Sequence, residues 1–141
     1  MITINPYLNF KGNTEDAFKF YRSVFGGDFL ALQRFKDTPE SDRVPANEKD
    51  MLMHVSLPIG PNTLMGTDAL ESMGHNITFG TNLQLSVSTD SEAEAKKIFT
   101  ALSAGGKVTI PLEDMFWGAY FGMCTDKFDI QWMVSFDRKP K

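Results

Sequence analysis

Trp117 to Val134 reads WGAYFGMCTDKFDIQWMV, two arms rich in aromatic and apolar residues around the tetrapeptide Asp126-Lys127-Phe128-Asp129. Short apolar runs broken by a polar, Asp-bearing turn mark a β-hairpin. Crowding of Phe, Met and Trp on both arms places them in a core rather than at a solvated edge.

Working outward, Lys107–Leu112 reads as a strand. It follows Gly105-Gly106, a pair that ends a helix because glycine takes a left-handed C-terminal position at little steric cost. That helix opens on a capping box, Ser91-x-x-Glu94, and carries Ala95, Ile98, Phe99 and Leu102 at helical spacing. Thr81 to Ser88 alternates before it, with Asn82, Gln84 and Ser86 on one face and Leu83, Leu85 and Val87 on the other.

The N-terminal half carries the same order. Ile2 to Phe10 alternates, with Asn5, Tyr7 and Asn9 on one face and Ile4, Leu8 and Phe10 on the other. Asn13 is positioned to cap a helix over Ala17, Phe20, Tyr21, Val24 and Phe25, which Gly26-Gly27 ends. Strands follow over Asp28–Phe35, Met51–Ile59 and Asn62–Thr67. Overlaying Asn5 on Asn82 carries Tyr7 onto Gln84 and, allowing one extra residue in the turn, Phe20 onto Ile98 and Tyr21 onto Phe99. The chain is therefore an α+β fold built from one βαβββ module twice over. Module one covers about 1–67, a linker about 68–80 and module two about 81–141, all within a single domain. The segment Lys36–Asp50 is polar and holds Pro39 and Pro45, either a solvated excursion or a lid over a site.

The opening NPYLNFKGNTEDAFKFYRSVFGG (residues 5–27) and the closing hairpin together resemble the PhnB-like branch of the glyoxalase/bleomycin-resistance (vicinal oxygen chelate) superfamily. The resemblance implies that the modules pair into a curved, half-open mixed β-barrel with helices outside and a cavity within, as a homodimer. Superfamily members that use a metal take its ligands from four cavity-facing positions, which fall here on Asn5, Asn82, Met65 or Gly66, and Met133. Amides and thioethers are poor ligands for a borderline divalent ion, so no cofactor is expected, a divalent metal being the alternative. Some members of the branch carry a demethylubiquinone methyltransferase label. A typical methyltransferase shows a glycine-rich strand-to-helix turn, whereas the glycine pairs here end helices.

The residues expected to bind a ligand are Asn5, Tyr7, Asn9, His54, Asn82, Gln84 and Trp117. Tyr7 and Trp117 combine flat apolar surface with a polar handle; the alternative for both is core packing. His54 lies mid-strand and is the candidate catalytic residue, with Asp68 a conceivable partner; the alternative is a hydrogen-bonded structural histidine. Cys124, the one cysteine, reads as inert packing. Three functions stay open: binding of a small organic molecule without a metal, a lyase, isomerase or oxygenase built around His54, and an interaction module whose cavity is filled.

Composition narrows the partners. The chain has 141 residues, 42% of them hydrophobic with twelve Phe, sufficient for a core without staples. A formal charge of −4 argues against nucleic acid, which calls for a clustered basic face. No apolar run approaches the roughly 20 residues of a membrane span. Met1–Asn5 has no signal-peptide pattern, and the lone cysteine fits a reducing cytoplasm. Light scattering at high micromolar concentration is expected to report a symmetric homodimer; a persistent monomer refutes that assembly.

Overall fold

The structure is a computed structural model that describes residues 1–138. The chain separates into two compact units, Met1–Thr78 and a second that begins at Phe79. Unit one contains β1 (Tyr7–Phe10), α1 (Thr14–Phe25), β2 (Ala31–Arg34), β3 (Leu52–Ile59) and β4 (Asn62–Asp68). Unit two contains β5 (Leu85–Ser88), α2 (Glu92–Ser103), β6 (Lys107–Asp114), β7 (Ala119–Thr125) and β8 (Gln131–Asp137). Each unit folds one mixed four-stranded sheet, ordered β1-β4-β3-β2 and β5-β8-β7-β6. The first and last strands of each unit pair in parallel, and the remaining neighbours are antiparallel. This is the α+β pattern of strand, helix and three strands, twice.

The first strand of each unit is shorter than its alternation predicts, beginning at Tyr7 rather than Ile2 and at Leu85 rather than Thr81; in unit one Pro6 directly precedes the strand. Proline has no N–H for the ladder. Its carbonyl still accepts from the Met65 N–H at 3.1 Å. One step earlier, the Asn5 side chain takes over from the backbone, its Oδ1 accepting the Thr63 N–H at 2.9 Å.

Helix α1 departs from expectation twice. Asn13 makes no side-chain cap. The cap comes from the end of β4, where Asp68 Oδ1 accepts the N–H groups of Gly12 and Thr14 and the Thr14 hydroxyl at 2.9, 3.1 and 2.6 Å. Its Oδ2 accepts the Leu52 N–H at 2.8 Å. Phe20, read as a core residue, is only half-buried, whereas Phe18 is fully buried beside Ala17 and Tyr21. The core stripe is centred one residue position round the helix from the expected one, because Thr14 and Phe18 belong to it. Phe18 packs so close to β4 that a Cβ on Gly66 would lie 2.5 Å from its ring.

Unit two keeps its expected helix cap, helix stripe and turn. Ser91 Oγ accepts the Glu94 N–H at 3.0 Å, and Glu94 Oε1 accepts the Asp90 N–H at 3.0 Å. Ala95, Ile98, Phe99 and Leu102 are buried, with Phe99 over Gly122 of β7. The hairpin turns at Asp126–Asp129. Asp126 Oδ1 accepts the N–H groups of Phe128 and Ile130, and Asp129 takes a left-handed φ of 70°. Arg138 closes the unit, binding Asp114 and Glu92 while its guanidinium lies 4.7 Å from the Tyr120 ring centroid.

The polar segment after β2 is folded. It forms three short 3-10 turns, and Phe35, Val44 and Leu70 make a small core with Met51 and Met53 against it. The buried Glu48 accepts from the Ser72 hydroxyl. Leu70 and Ser72 come from the stretch read as linker, so that stretch anchors the segment. Periodicity gave no hint of this, since one Val and one Leu in polar surroundings have no period.

Truncating a fully buried phenylalanine costs about 3–5 kcal/mol. Phe18→Ala and Phe99→Ala are expected to lose that much in denaturant titrations and Phe20→Ala clearly less. Equal losses at Phe18 and Phe20 would contradict the observed stripe.

Candidate functional site

Pleating sends alternate residues to opposite sides of a sheet. In unit one, Leu8, Phe10, Val55, Leu57 and Leu64 lie buried on the side of α1. Strand register then fixes the other side. Tyr7 faces Met65, which faces Ser56, which faces Ala31. Asn9 faces Thr67, His54 faces Gln33, and Pro58 faces Thr63. None of these residues carries a formal charge with histidine neutral, in a chain of which 23% is Asp, Glu, Lys or Arg. A face meant only for water draws on that charged pool.

Tyr7 and His54 meet on this neutral face. They stand on β1 and β3 with β4 between them, and the long Tyr7 side chain crosses β4 to bring its Oη 3.0 Å from His54 Nδ1. The ring centroids are 5.7 Å apart at an interplanar angle of 35°. Tyr7 is 45% exposed and His54 half-buried, so the pair borders solvent. Partial burial holds the Tyr7 phenol above its ordinary value, and it stays protonated at neutral pH.

The other expected residues are distributed as follows. Asn5 is committed to the backbone of Thr63, while Asn9 is exposed on the side of the sheet that carries Tyr7. Asp68 holds the α1 terminus and makes no bond to His54. His75 is exposed. In unit two, Asn82 is exposed and Gln84 half-buried, both just before β5. Trp117 is 49% exposed at the β6–β7 turn, in edge contact with Phe116 and Phe121. Trp132 is buried, its indole N–H donating to Asp126 Oδ2 at 2.8 Å. Asp114, at the end of β6 just before Trp117, is engaged by Arg138.

The donor set at the superfamily metal positions does not fit a divalent ion. The Asn5 carbonyl oxygen is already an acceptor for a backbone N–H, and Met65 and Met133 offer only thioethers. Among the described residues no three His, Cys, Asp or Glu gather as a ligand set.

A second feature escaped the sequence reading. A cleft of about 170 Å³ lies in unit one, lined by Glu15, Asn47, Asp50, Met51 and Asp68 among others. Small-molecule sites usually enclose roughly 300–1,000 Å³. The carboxylates here are also engaged: Glu15 binds Arg34 at 2.8 and 2.9 Å, Asp50 binds Lys36 at 2.9 Å, and Asp68 caps α1. The Arg34 guanidinium accordingly holds the Glu15 carboxyl below its ordinary range. These groups brace the fold.

Cys124 lies on the α2 side of its sheet opposite Trp132 and is 2% exposed. Burial, with the nearby Asp126 charge, pushes its thiol up to about 11. Alkylation of the native protein by iodoacetamide is therefore expected to be negligible at pH 8 and to rise about tenfold per pH unit toward 11. Rapid labelling of the folded protein at pH 7 would overturn this.

Residues 2–135 match the family model described as 3-demethylubiquinone-9 3-methyltransferase. Protein YjdN of Escherichia coli K12 is 30% identical over 140 residues, covering 94% of this chain and 93% of that protein. The crystal structure of PA1353 from Pseudomonas aeruginosa is 38% identical, with a TM-score of 0.87 over 99% of this chain and 100% of that one. The putative 3-demethylubiquinone-9 3-methyltransferase, PhnB protein, from Bacillus cereus is 24% identical with a TM-score of 0.78, covering 96% and 99% of the two chains. A glyoxalase/bleomycin resistance protein/dioxygenase family enzyme from Burkholderia phytofirmans PsJN shares the fold, at 20% identity and a TM-score of 0.62 over 93% and 96%. No described helix is long and apolar enough to cross a membrane.

Proposed function

Since the chain belongs to the 3-demethylubiquinone-9 3-methyltransferase family, the PhnB-like branch of the glyoxalase/bleomycin-resistance superfamily, we propose that it binds a small uncharged organic molecule on the sheet face that carries Tyr7 and His54. The observation that carries this reading is the Tyr7–His54 hydrogen bond on a sheet face whose paired strand residues carry no formal charge. Two rings with polar handles, a thioether at Met65 and the exposed amides of Asn9 and Gln33 offer flat contact with a few oriented hydrogen bonds. Phosphates and other anions would call for Arg, Lys or a free helix N-terminus. The N-terminus of α1 is filled by Asp68.

Asn82, Gln84 and Trp117 are proposed as ligand-contacting residues of unit two. Asn5 acts on the ligand indirectly, by holding the strand that carries Tyr7. The proposal places the protein in the cytoplasm as a homodimer, in keeping with its single, unpaired cysteine.

Methyl transfer, the activity in the family's description, receives no support from the glycine pairs. Gly26 and Gly105 take φ values of 80° and 76° just past the ends of helices, where they terminate rather than cradle. A second reading, proton-transfer chemistry on the bound molecule as in a lyase or isomerase, is favoured by one observation. The Nε2 edge of His54 has no protein partner among the described residues. Turnover of a bound compound, abolished by His54→Gln with binding retained, would establish it.

Calorimetric titration with a panel of small neutral aromatic compounds is expected to find micromolar binding, weakened about tenfold or more in Tyr7→Ala. No binding across the panel would favour an interaction module instead.

A further inference from the structure

The Tyr7–His54 pair defines which chemical group the ligand must carry, an inference that rests on the binding reading above. Both partners can donate or accept in principle. Their acidities decide. A phenol O–H is more acidic than the N–H of a neutral imidazole, and the bare imidazole nitrogen is more basic than a phenol oxygen. The 3.0 Å contact is therefore Tyr7 O–H donating to His54 Nδ1. Partial burial keeps the phenol protonated and so keeps the donor in place.

A histidine that accepts at Nδ1 while neutral carries its proton at Nε2. Tyr7 is thus a positioning residue, selecting the tautomer of His54. The Nε2–H finds no acceptor among the described residues, since the single hydrogen bond of His54 is to Tyr7. Its strand neighbour Gln33 is neutral, and the paired strand residues of this face include no carboxylate to take the proton. We propose that this site selects neutral aryl carbonyl compounds, ketones, aldehydes or amides, whose oxygen accepts from His54 Nε2–H while the ring lies against Tyr7 and Met65. A hydrocarbon of the same shape leaves that N–H unpaired, and a carboxylate meets no cation on the face.

The test uses the full chain in two arms. In the first, nitrogen-15 NMR of a His75→Gln protein leaves one imidazole to observe. The expected signature is protonation at Nε2, shifting to a tautomer mixture in Tyr7→Phe. A wild-type signature of Nδ1 protonation, or none of the expected change in Tyr7→Phe, overturns the assignment. In the second arm, calorimetry compares acetophenone with ethylbenzene. Acetophenone is expected to bind about fivefold or more tightly, the worth of one hydrogen bond, with the gap closing in His54→Phe. Equal affinities in the wild type overturn the selectivity even though the face binds aromatics. Failure of both compounds to bind overturns the ligand class together with the binding reading, while the NMR arm still decides the tautomer by itself.

Discussion

A carboxylate removed from water must be surrounded by donors, and in unit one that requirement fixes where everything else lies. Asp68 is 3% exposed, and its two oxygens take hydrogen bonds from Gly12, Thr14 and Leu52. An unsatisfied buried charge would cost several kcal/mol, so these donors cannot be released singly. The bonds tie the end of β4 to the start of α1 and the start of β3. A negative charge at the α1 N-terminus also complements the helix dipole. With α1 pinned there, Phe18 falls over Gly66, and one side of the sheet is covered. The opposite side is left to Tyr7 and His54.

Unit two solves the same problem within seven residues, Asp126 to Trp132. Asp126 is 2% exposed and receives the Phe128 and Ile130 N–H groups and the Trp132 indole. Here the buried charge organises a hairpin turn rather than a helix terminus. Phe99 over Gly122 repeats the close helix-to-sheet contact of Phe18 over Gly66. In both units a Cβ on that glycine would sit within 3 Å of the phenylalanine ring, so neither glycine is replaceable without moving the helix. The repeat is thus one of architecture and packing, while the fixing carboxylate differs in position and partners.

What was legible in the sequence was local. The Ser91 capping box, the Asp126–Asp129 turn and the glycine helix stops act over a few residues, and all appear where they were expected. What was illegible was long-range. Nothing near Asn13 says that its capping role belongs to Asp68, 55 positions on. Alternation carried the first strands back to Ile2 and Thr81, because a hydropathy pattern does not register where the ladder with the last strand ends, at Tyr7 and Leu85. Phe18 and Phe20 sit two positions apart in a Phe-rich helix, and only the sheet beneath decides between them. The candidate site is long-range as well. Both Tyr7 and His54 were singled out, but their contact depends on β4 lying between β1 and β3, an order that no spacing in the sequence specifies.

The placement of charge gives the remaining physical argument for a ligand. Several charged residues of unit one are used in pairs, as with Glu15 between Arg34 and Lys19, and Asp50 with Lys36. Exposed pairs of this kind contribute little to stability, about 1 kcal/mol or less each. Their greater effect is on solubility, for which a charged surface serves well and a neutral one poorly. The face bearing Tyr7 forgoes that benefit. It presents instead a phenol already committed to an imidazole, with one N–H left unspent among the described residues. A neutral sheet face is a disadvantage in plain water and an advantage against an uncharged molecule, because the molecule need not displace the hydration shells of fixed charges to reach it.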